Sequence, residues 1–320
     1  MTTNNTMLDQ EQEFDAGLVD SIDQSSVEGG GPSYPLIQWV YANVKEKKHG
    51  GMDYLGGLFI KGGKVDEAAL LAAGWEKTER TFESGASEEG FWKREAALSI
   101  ICQRRRWEVT PADGQRLAFG WDKFDAAKAA GNGKTPHGRN QYLVLIKGLE
   151  AQGPMVLTMK GAGAQAFESY RDAKAVLSRF ANTVIHAANA ASDAAAKKGG
   201  KPSNNKWPYR AFWLPLGAAR NEKGEPTYTE VGKTEKSLVV LPVALALPDK
   251  AEQVELKRYY IGNALLTTVN ELYDAAAEWR GAWENIKPGA AVEGAAAPDA
   301  TAAAEKEADA AAAAAAAMGL

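Results

Sequence analysis

The stretch that most constrains the fold covers residues 140–196, where two apolar segments, a pair of glycines and a long amphipathic segment follow one another. Residues 141–147 and 155–160 are rich in β-branched and aromatic side chains, which suit a half-buried pleated surface. A short connection that contains a glycine and a proline separates the two segments. The pattern therefore predicts an antiparallel hairpin.

The apolar period changes after the glycines at residues 161 and 163. From there on, apolar residues recur at spacings of three and four, which places them on one helical face. These residues are Phe167, Tyr170, Ala173, Leu177, Phe180 and Val184. At about 1.5 Å per residue, a helix that continues to Ala196 is more than about 40 Å long. We expect it to cross a whole sheet and to form the main core contact.

The rest of the chain predicts mostly strands that follow each other in sequence. Strand patterns cover residues 55–60, 79–84, 90–93, 97–109, 113–121, 209–217, 228–231 and 237–246. Helix patterns cover residues 66–74 and 265–283, while residues 122–136 are a polar excursion. This order predicts an α+β fold with a mainly antiparallel, OB-like curled sheet, packed by one long central helix and a C-terminal helix.

The domain prediction is a single globular domain over residues 34–286, flanked by two disordered segments. Residues 1–33 form an acidic arm that ends in three glycines, and residues 287–320 form an alanine-rich tail with little to bury. The apolar content of 45% is ample for one core. No secretory signal or membrane span is recognisable, and Cys102 is the only cysteine, so the expected compartment is the cytoplasm.

The charge distribution is strongly uneven. Residues 1–28 contain seven acidic and no basic side chains, and residues 287–320 contain five acidic side chains and two lysines. The net charge of −4 therefore leaves +6 on residues 29–286. An acidic arm on a basic body indicates either competition with an anionic ligand or a docking or solubilising tail.

Several segments match the residue pattern of a catalytic or cofactor site but lack the context that such a site needs. Residues 161–166 fit G-x-G-x-x-A, but the predicted helix continues where a dinucleotide site needs a second parallel strand and an acid. Asp249, Glu255 and Lys257 imitate a nuclease set with too few residues between the acids. The three histidines lack metal-ligand spacing. We therefore expect a non-catalytic protein without a metal or cofactor.

Basic residues interleaved with aromatic residues are the pattern that favours a function. One cluster is the run at residues 104–107, a second covers residues 206–213, and a third surrounds Trp39 and Tyr41. Guanidinium and ammonium groups neutralise phosphates, and aromatic rings stack on unpaired bases. The predicted phosphate contacts are Arg104, Arg105, Arg106, Lys206 and Arg210. The predicted stacking residues are Trp107, Trp207, Tyr209 and Trp213.

Short pieces of the chain resemble an uncharacterised family found in cyanobacteria and in mobile elements such as phages and plasmids. The pieces are residues 53–60, 73–75, 90–91, 157–162 with Phe167, and 260–262. That family implies no activity and no site residue. It does imply a phage or plasmid setting, in which single-strand binding proteins are common.

These observations predict a protein that binds single-stranded nucleic acid, with DNA as the favoured strand. Replication or recombination proteins are the partners expected for the acidic arm, and no membrane is expected. The alternative is a structural protein whose central and C-terminal helices form a homo-oligomer interface.

Overall fold

The fold is built on one large mixed sheet. The computed structural model describes residues 34–40, 56–81, 87–111, 114–159, 161–169, 172–198, 206–231, 237–284, 286 and 289–291. The predicted acidic arm lies outside these residues, and so does the alanine-rich tail apart from residues 289–291. Of the cluster around Trp39 and Tyr41, Trp39 is described and Tyr41 is not.

Thirteen strands and seven α-helices occur in the described part of the chain. The strands are β1 Leu36–Val40, β2 Gly57–Lys61, β3 Glu76–Thr81, β4 Ser87–Lys93, β5 Glu95–Val109, β6 Leu117–Gly120, β7 His137–Ile146, β8 Met155–Met159, β9 Leu214–Ala218, β10 Tyr228–Val231, β11 Ser237–Val240, β12 Pro242–Ala244 and β13 Ala290–Ala291. The helices are α1 Glu67–Ala72, α2 Phe124–Ala130, α3 Gly161–Phe167, α4 Val176–Phe180, α5 His186–Lys198, α6 Asn263–Ala275 and α7 Ala277–Gly281.

Eleven of these strands form the main sheet, in the order β12-β9-β5-β7-β8-β1-β2-β4-β3, with β6 paired to β5 and β13 paired to β6. All neighbours are antiparallel except β1 and β8, which run parallel. The hydrogen-bonded ladder stays open, with β12 and β3 at its edges. Strands β10 and β11 form a separate pair. The α+β fold with a mainly antiparallel sheet is thus confirmed.

The predicted hairpin is confirmed as the centre of the sheet. Strands β7 and β8 pair antiparallel, with Tyr142 opposite Leu157 and Val144 opposite Met155. All five residues of β8 are buried. Both faces of this hairpin are covered, which explains why its segments read as continuous apolar runs.

Each face of the sheet has its own core. On the main-core face, Ile100, Tyr142 and Leu157 pack with α3, α4 and the π-helical turn after α4. On the opposite side, which we call the C-terminal face, Cys102, Leu143 and Val156 pack against α6 and α7. A small third cluster joins α2 to the end of β5 and to β6.

The predicted central helix is not continuous. Helix α3 ends at Phe167, and α4 starts at Val176 and continues through the π-helical turn Ala181–Ile185 into α5. Asp172 interrupts the run because its Oδ1 accepts from the Lys174 amide at 2.8 Å, and its carbonyl accepts from the Ala175 amide. Such side-chain bonds to the local backbone compete with helix formation. The apolar face predicted for this helix nevertheless points inward, since Phe167, Phe180 and Val184 are fully buried.

The predicted C-terminal helix is divided at Ala276 into α6 and α7. Its apolar stripe packs on the protein's own sheet: Val269, Ala276 and Trp279 are buried in the core of the C-terminal face. The polar excursion at residues 122–136 contains α2, whose buried Ala127 packs on Val109 and Phe119.

Candidate nucleic-acid interface

A bulge in β5 decides where the basic residues of this strand point. The pairing with β7 shifts between Ile100 and Cys102, so Ile101 and Cys102 both pack on the C-terminal face. One extra residue exchanges the faces of everything that follows it. After the bulge, Arg104 and Arg106 lie on the C-terminal face, and Arg105 and Trp107 lie on the main-core face.

Arg104 and Arg106 are inside the protein. Arg104 is 5% exposed, donates through Nε to Gln141 Oε1 at 2.9 Å, and has its guanidinium 4.3 Å from the ring centroids of Trp279 and Trp283. Arg106 is fully buried and lies 4.4 Å from the Trp283 ring. Arg104 thus holds α7 against the sheet, and both arginines hold Trp283, which follows α7. As placed, they cannot reach a phosphate, so the expectation that they bind the strand is corrected.

Glu108 is the acidic centre of this buried network. Its Oε1 accepts from Arg106 Nε at 2.7 Å and from Arg139 Nη1 at 3.3 Å, and Arg116 lies 3.7 Å from its Oε2. Burial alone would raise the pKa of this carboxyl. The charges of Arg139, Arg106 and Arg116, with the hydrogen bond from Arg106, outweigh burial and hold the pKa far below its usual range.

The main-core face carries a different arrangement at the end of β5. The Trp107 and Trp121 rings stack with centroids 4.1 Å apart and planes 7° apart, and Phe124 meets Trp107 edge-on at 5.0 Å. The Arg105 guanidinium lies 4.9 Å from the Trp121 ring centroid. We call Arg105, Trp121, Trp107 and Phe124 the arginine–aromatic row. Of its members, Phe124 is 37% exposed and the Arg105 side chain is 36% exposed.

Three strands hold this row in place. Trp107 lies opposite Gly138 of β7, and Trp121 directly follows β6. A Cβ atom at Gly138 would lie 3.3 Å from the Trp121 ring and 3.4 Å from the Trp107 ring, so the absence of a side chain there makes room for both indoles. Trp107 Nε1 also donates to the Trp121 carbonyl at 2.7 Å.

A polar cluster lies beside Arg105. Glu168, just after α3, has its Oε1 3.7 Å from Arg105 Nη1, and its Oε2 accepts from the Tyr142 hydroxyl at 2.5 Å. Asn140 Nδ2 approaches the same Oε2 at 3.5 Å. Burial, then the charge of Glu168 and the hydrogen bond to it, raise the pKa of Tyr142, which therefore stays a hydrogen-bond donor.

The second predicted cluster does not form a strand. Residues Tyr209–Ala211 are a 3₁₀-helical turn, so the strand predicted over residues 209–217 begins only at Leu214. The preceding proline at residue 208 and the bonds of the turn, Ala211 N to Pro208 O and Phe212 N to Tyr209 O, replace strand pairing there.

The side chains of this second cluster differ in availability. Trp213 is 6% exposed, and Trp207 is half-buried with Nε1 donating to Ser192 Oγ at 2.6 Å. Arg210 donates to Asn270 Oδ1 at 2.7 Å and lies 4.2 Å from the Tyr273 ring. Lys206 is exposed, and Tyr209 is 37% exposed.

Tyr209 links the two clusters. Its ring stacks on Phe180 of α4, with centroids 6.2 Å apart, on the main-core side. Burial and then the charge of Glu168 raise the pKa of Tyr209. Arg105 and Tyr209 therefore lie on the same side of the sheet, and Arg104 and Arg106 do not.

Sequence reasoning missed Trp121 and Phe124. Trp121 directly precedes the polar residues 122–136, and Phe124 lies near their start. A single aromatic residue at the start of the alanine-rich segment 124–130 was the sequence signal that could have indicated Phe124. Trp39 of the third predicted cluster is buried, with Nε1 donating to the Val240 carbonyl at 3.2 Å.

The chain is thus an α+β protein with a half-exposed arginine–aromatic surface. Among the described residues, no group of three or more histidine, cysteine or acidic side chains could hold a metal ion. No helix in the described part is both long and apolar enough to cross a bilayer. Comparisons with models of protein families, with curated proteins and with solved structures find no match.

Proposed function

We propose that this chain is a non-catalytic protein that binds single-stranded nucleic acid, with DNA as the strand to test first. The observation that carries the proposal is the arginine–aromatic row: a stacked indole pair between an exposed phenyl ring and a guanidinium on one surface. Stacked aromatics and arginine are the groups that unpaired bases and phosphates engage. Double-stranded ligands offer fewer free base faces.

The two ends of the row offer the free surface. The inner indole faces are already occupied by each other, so a base reaches Phe124 at one end and the outer side of the Arg105 guanidinium at the other. Bases stack on arginine planes as well as on rings. Tyr209, on the same side of the sheet, adds another exposed ring. The proposed binding residues are therefore Arg105, Trp107, Trp121, Phe124 and Tyr209, with Lys206 as an exposed phosphate contact.

An OB-like curl of the sheet is part of this proposal. Strands β4 and β5 are separated by Arg94 alone, yet β4 pairs with β2 and β5 pairs with β7. Following the pairs from β5 through β7, β8, β1 and β2 thus leads back to the segment that continues into β5. Gly57 supports a tight corner, because a Cβ there would lie 2.7 Å from the Lys93 carbonyl.

The homo-oligomer alternative was based on the apolar faces of the central and C-terminal helices. The stripe of α6 and α7 and that of α3 and α4 both pack inside the chain. An assembly interface would have to use another surface, and no observation on the described residues favours one.

The test is a titration with oligothymidylate, followed by tryptophan fluorescence and by anisotropy of a labelled strand at low and moderate salt. We expect saturable quenching that weakens as salt rises. Phe124→Ala should lower affinity about five- to hundredfold, because one stacked base contributes ~1–3 kcal/mol. The matched control is Leu71→Ala, since Leu71 is 53% exposed on α1, away from the row.

A charge variant tests the phosphate contact separately. Arg105→Gln should reduce the slope of log affinity against log salt by about one, as expected for one lost phosphate contact. Lys77→Gln removes an equally single charge from β3, at the far edge of the sheet, and should leave the slope unchanged. Absence of binding at low salt, or equal losses in variant and control, would refute the proposal.

A further inference from the structure

A carboxylate in a proposed phosphate-binding surface needs an explanation. Glu168 is 23% exposed and lies beside Arg105, where its negative charge opposes the binding of a strand's backbone. Three polar groups hold its carboxylate: the Tyr142 hydroxyl, the Asn140 amide and the Arg105 guanidinium. A carboxylate held in this way is suited to accept hydrogen bonds from a base, since base edges carry N–H donors.

The hydrogen bonds around Glu168 leave its Oε1 as the acceptor that a ligand can reach. The Tyr142 hydroxyl donates to Oε2, and the Asn140 Nδ2 must face the same carboxylate because the amide oxygen would be repelled there. This orientation turns Asn140 Oδ1 away, and that buried oxygen has no hydrogen-bond partner among the described residues. Glu168 Oε1 lies 3.7 Å from Arg105, which is an ion pair but longer than a hydrogen bond.

Asn140 supports the carboxylate from the neighbouring strand. It is 7% exposed and lies opposite Arg105. The cluster therefore presents one acceptor, Glu168 Oε1, beside one donor, the Arg105 guanidinium.

We propose that Glu168, Asn140 and Arg105 form a subsite that selects guanine in a single strand. Guanine alone combines two adjacent donors, N1–H and the N2 amino group, with an acceptor, O6, on one edge. Glu168 accepts from N1–H and N2–H at Oε1, Arg105 donates to O6, and Asn140 orients the carboxylate through its contact with Oε2. Thymine offers one donor on this edge, and inosine lacks the N2 amino group.

This inference rests on the proposed function and is tested with strands that differ in one base. Oligothymidylates of equal length carry dG, inosine, dA or dT at one central position, and binding is measured by fluorescence anisotropy. We expect the dG strand to bind about tenfold more tightly than the all-dT strand, within the range given by one bidentate base contact. The inosine strand should bind like the dT strand.

Glu168→Gln separates recognition from structural support. The amide replaces a carboxylate by a group of the same size, so it should remove the preference for dG while binding of dT stays equal or becomes tighter, because a negative charge is lost. A purely structural role would weaken both strands alike. Glu150→Gln, on an exposed turn after β7, is the matched control and should change neither.

The outcomes separate the two proposals. If no strand binds at low salt, the proposed function fails. If all four strands bind with equal affinity to the unaltered protein, only the guanine subsite fails, and this comparison does not depend on how a variant folds. GMP added alone should displace the dG strand only at millimolar concentration, and displacement at micromolar concentration would overturn the strand as the source of the guanine.

Discussion

At the scale of single residues, Glu108 shows what the arginine-rich segment of β5 does on the C-terminal face. One carboxylate pairs with guanidinium groups from three positions, Arg106, Arg116 and Arg139, in a largely buried site. Buried charges persist only when they are paired and hydrogen-bonded. The run of three arginines thus combines two structural side chains with one, Arg105, that faces the proposed interface.

Glu108→Gln should destabilise the protein by about 3 kcal/mol near pH 7, because a buried ion pair is broken. The low pKa of Glu108 in the folded state fixes the pH dependence. Its stabilisation is complete above the carboxyl's unfolded pKa of about 4.3 and is lost as pH falls below it toward the folded pKa. The difference between variant and parent, measured by urea unfolding, should therefore shrink between pH 5 and about pH 3. A difference that grows toward acid would contradict this assignment.

Cys102 provides a chemical probe of the same face. Burial raises the pKa of its thiol to about 11, against the lowering effect of Arg280, Arg104 and Arg210. At pH 8 the native thiol is protonated and covered by α6 and α7, so we expect no reaction with an aromatic disulfide reagent within minutes. In denaturant one thiol should react fully. Rapid labelling of the native protein would show that α6 and α7 do not cover Cys102 in solution.

At the scale of elements, the sequence predicted those helices and strands that are determined by interactions between residues close together in the chain. The β7–β8 hairpin follows from two apolar segments joined by a turn, and α1 follows from Asp66, which caps its first turn by accepting from the Ala68 amide. The bulge at Ile101 could not be predicted, because Ile100, Ile101 and Cys102 are three consecutive residues that suit either face. A regular strand would place Cys102 on the face of Leu98 and Ile100, whereas the bulge moves it to the C-terminal face.

The junction of β5, β6 and β7 depends on Gly138. In Gly138→Val, the new side chain would meet both indoles, since even a Cβ lies 3.3–3.4 Å from them. We expect the Trp107–Trp121 stack to separate, with loss of its near-ultraviolet circular dichroism and a destabilisation of about 1–3 kcal/mol. In Gly62→Val, a Cβ meets only the Glu89 carbonyl at 3.7 Å, so this control should keep the signal. An unchanged spectrum in Gly138→Val would mean that the indoles do not stack over β7.

At the scale of the whole molecule, the sequence indicated which residue types the candidate site contains, but not which individual residues come together in it. Basic and aromatic residues near β5 were identified from sequence, whereas Trp121 and Phe124 join them only because β6 returns beside β5. Glu168 likewise reaches Arg105 from the end of α3, more than sixty residues along the chain. Such contacts depend on strand order and face, which a single sequence does not specify.

The charge of the chain is divided unevenly between its N-terminal arm and its body. Residues 1–28 carry −7 and are tethered to a body of +6, so we expect the acidic arm to compete at low salt with the proposed strand for the basic surface. Deleting residues 1–28 should tighten oligothymidylate binding by about five- to tenfold at low salt, and the gain should vanish when salt shortens the Debye length to a few ångströms. A variant that keeps the arm but replaces its seven acidic residues by the corresponding amides distinguishes the effect of charge from that of chain length. Its affinity for oligothymidylate should equal that of the deletion variant. Equal affinity of the full chain and both variants at low salt would exclude the arm as a competitor and leave it as a docking segment, because an electrostatic competitor cannot lose its charge without effect.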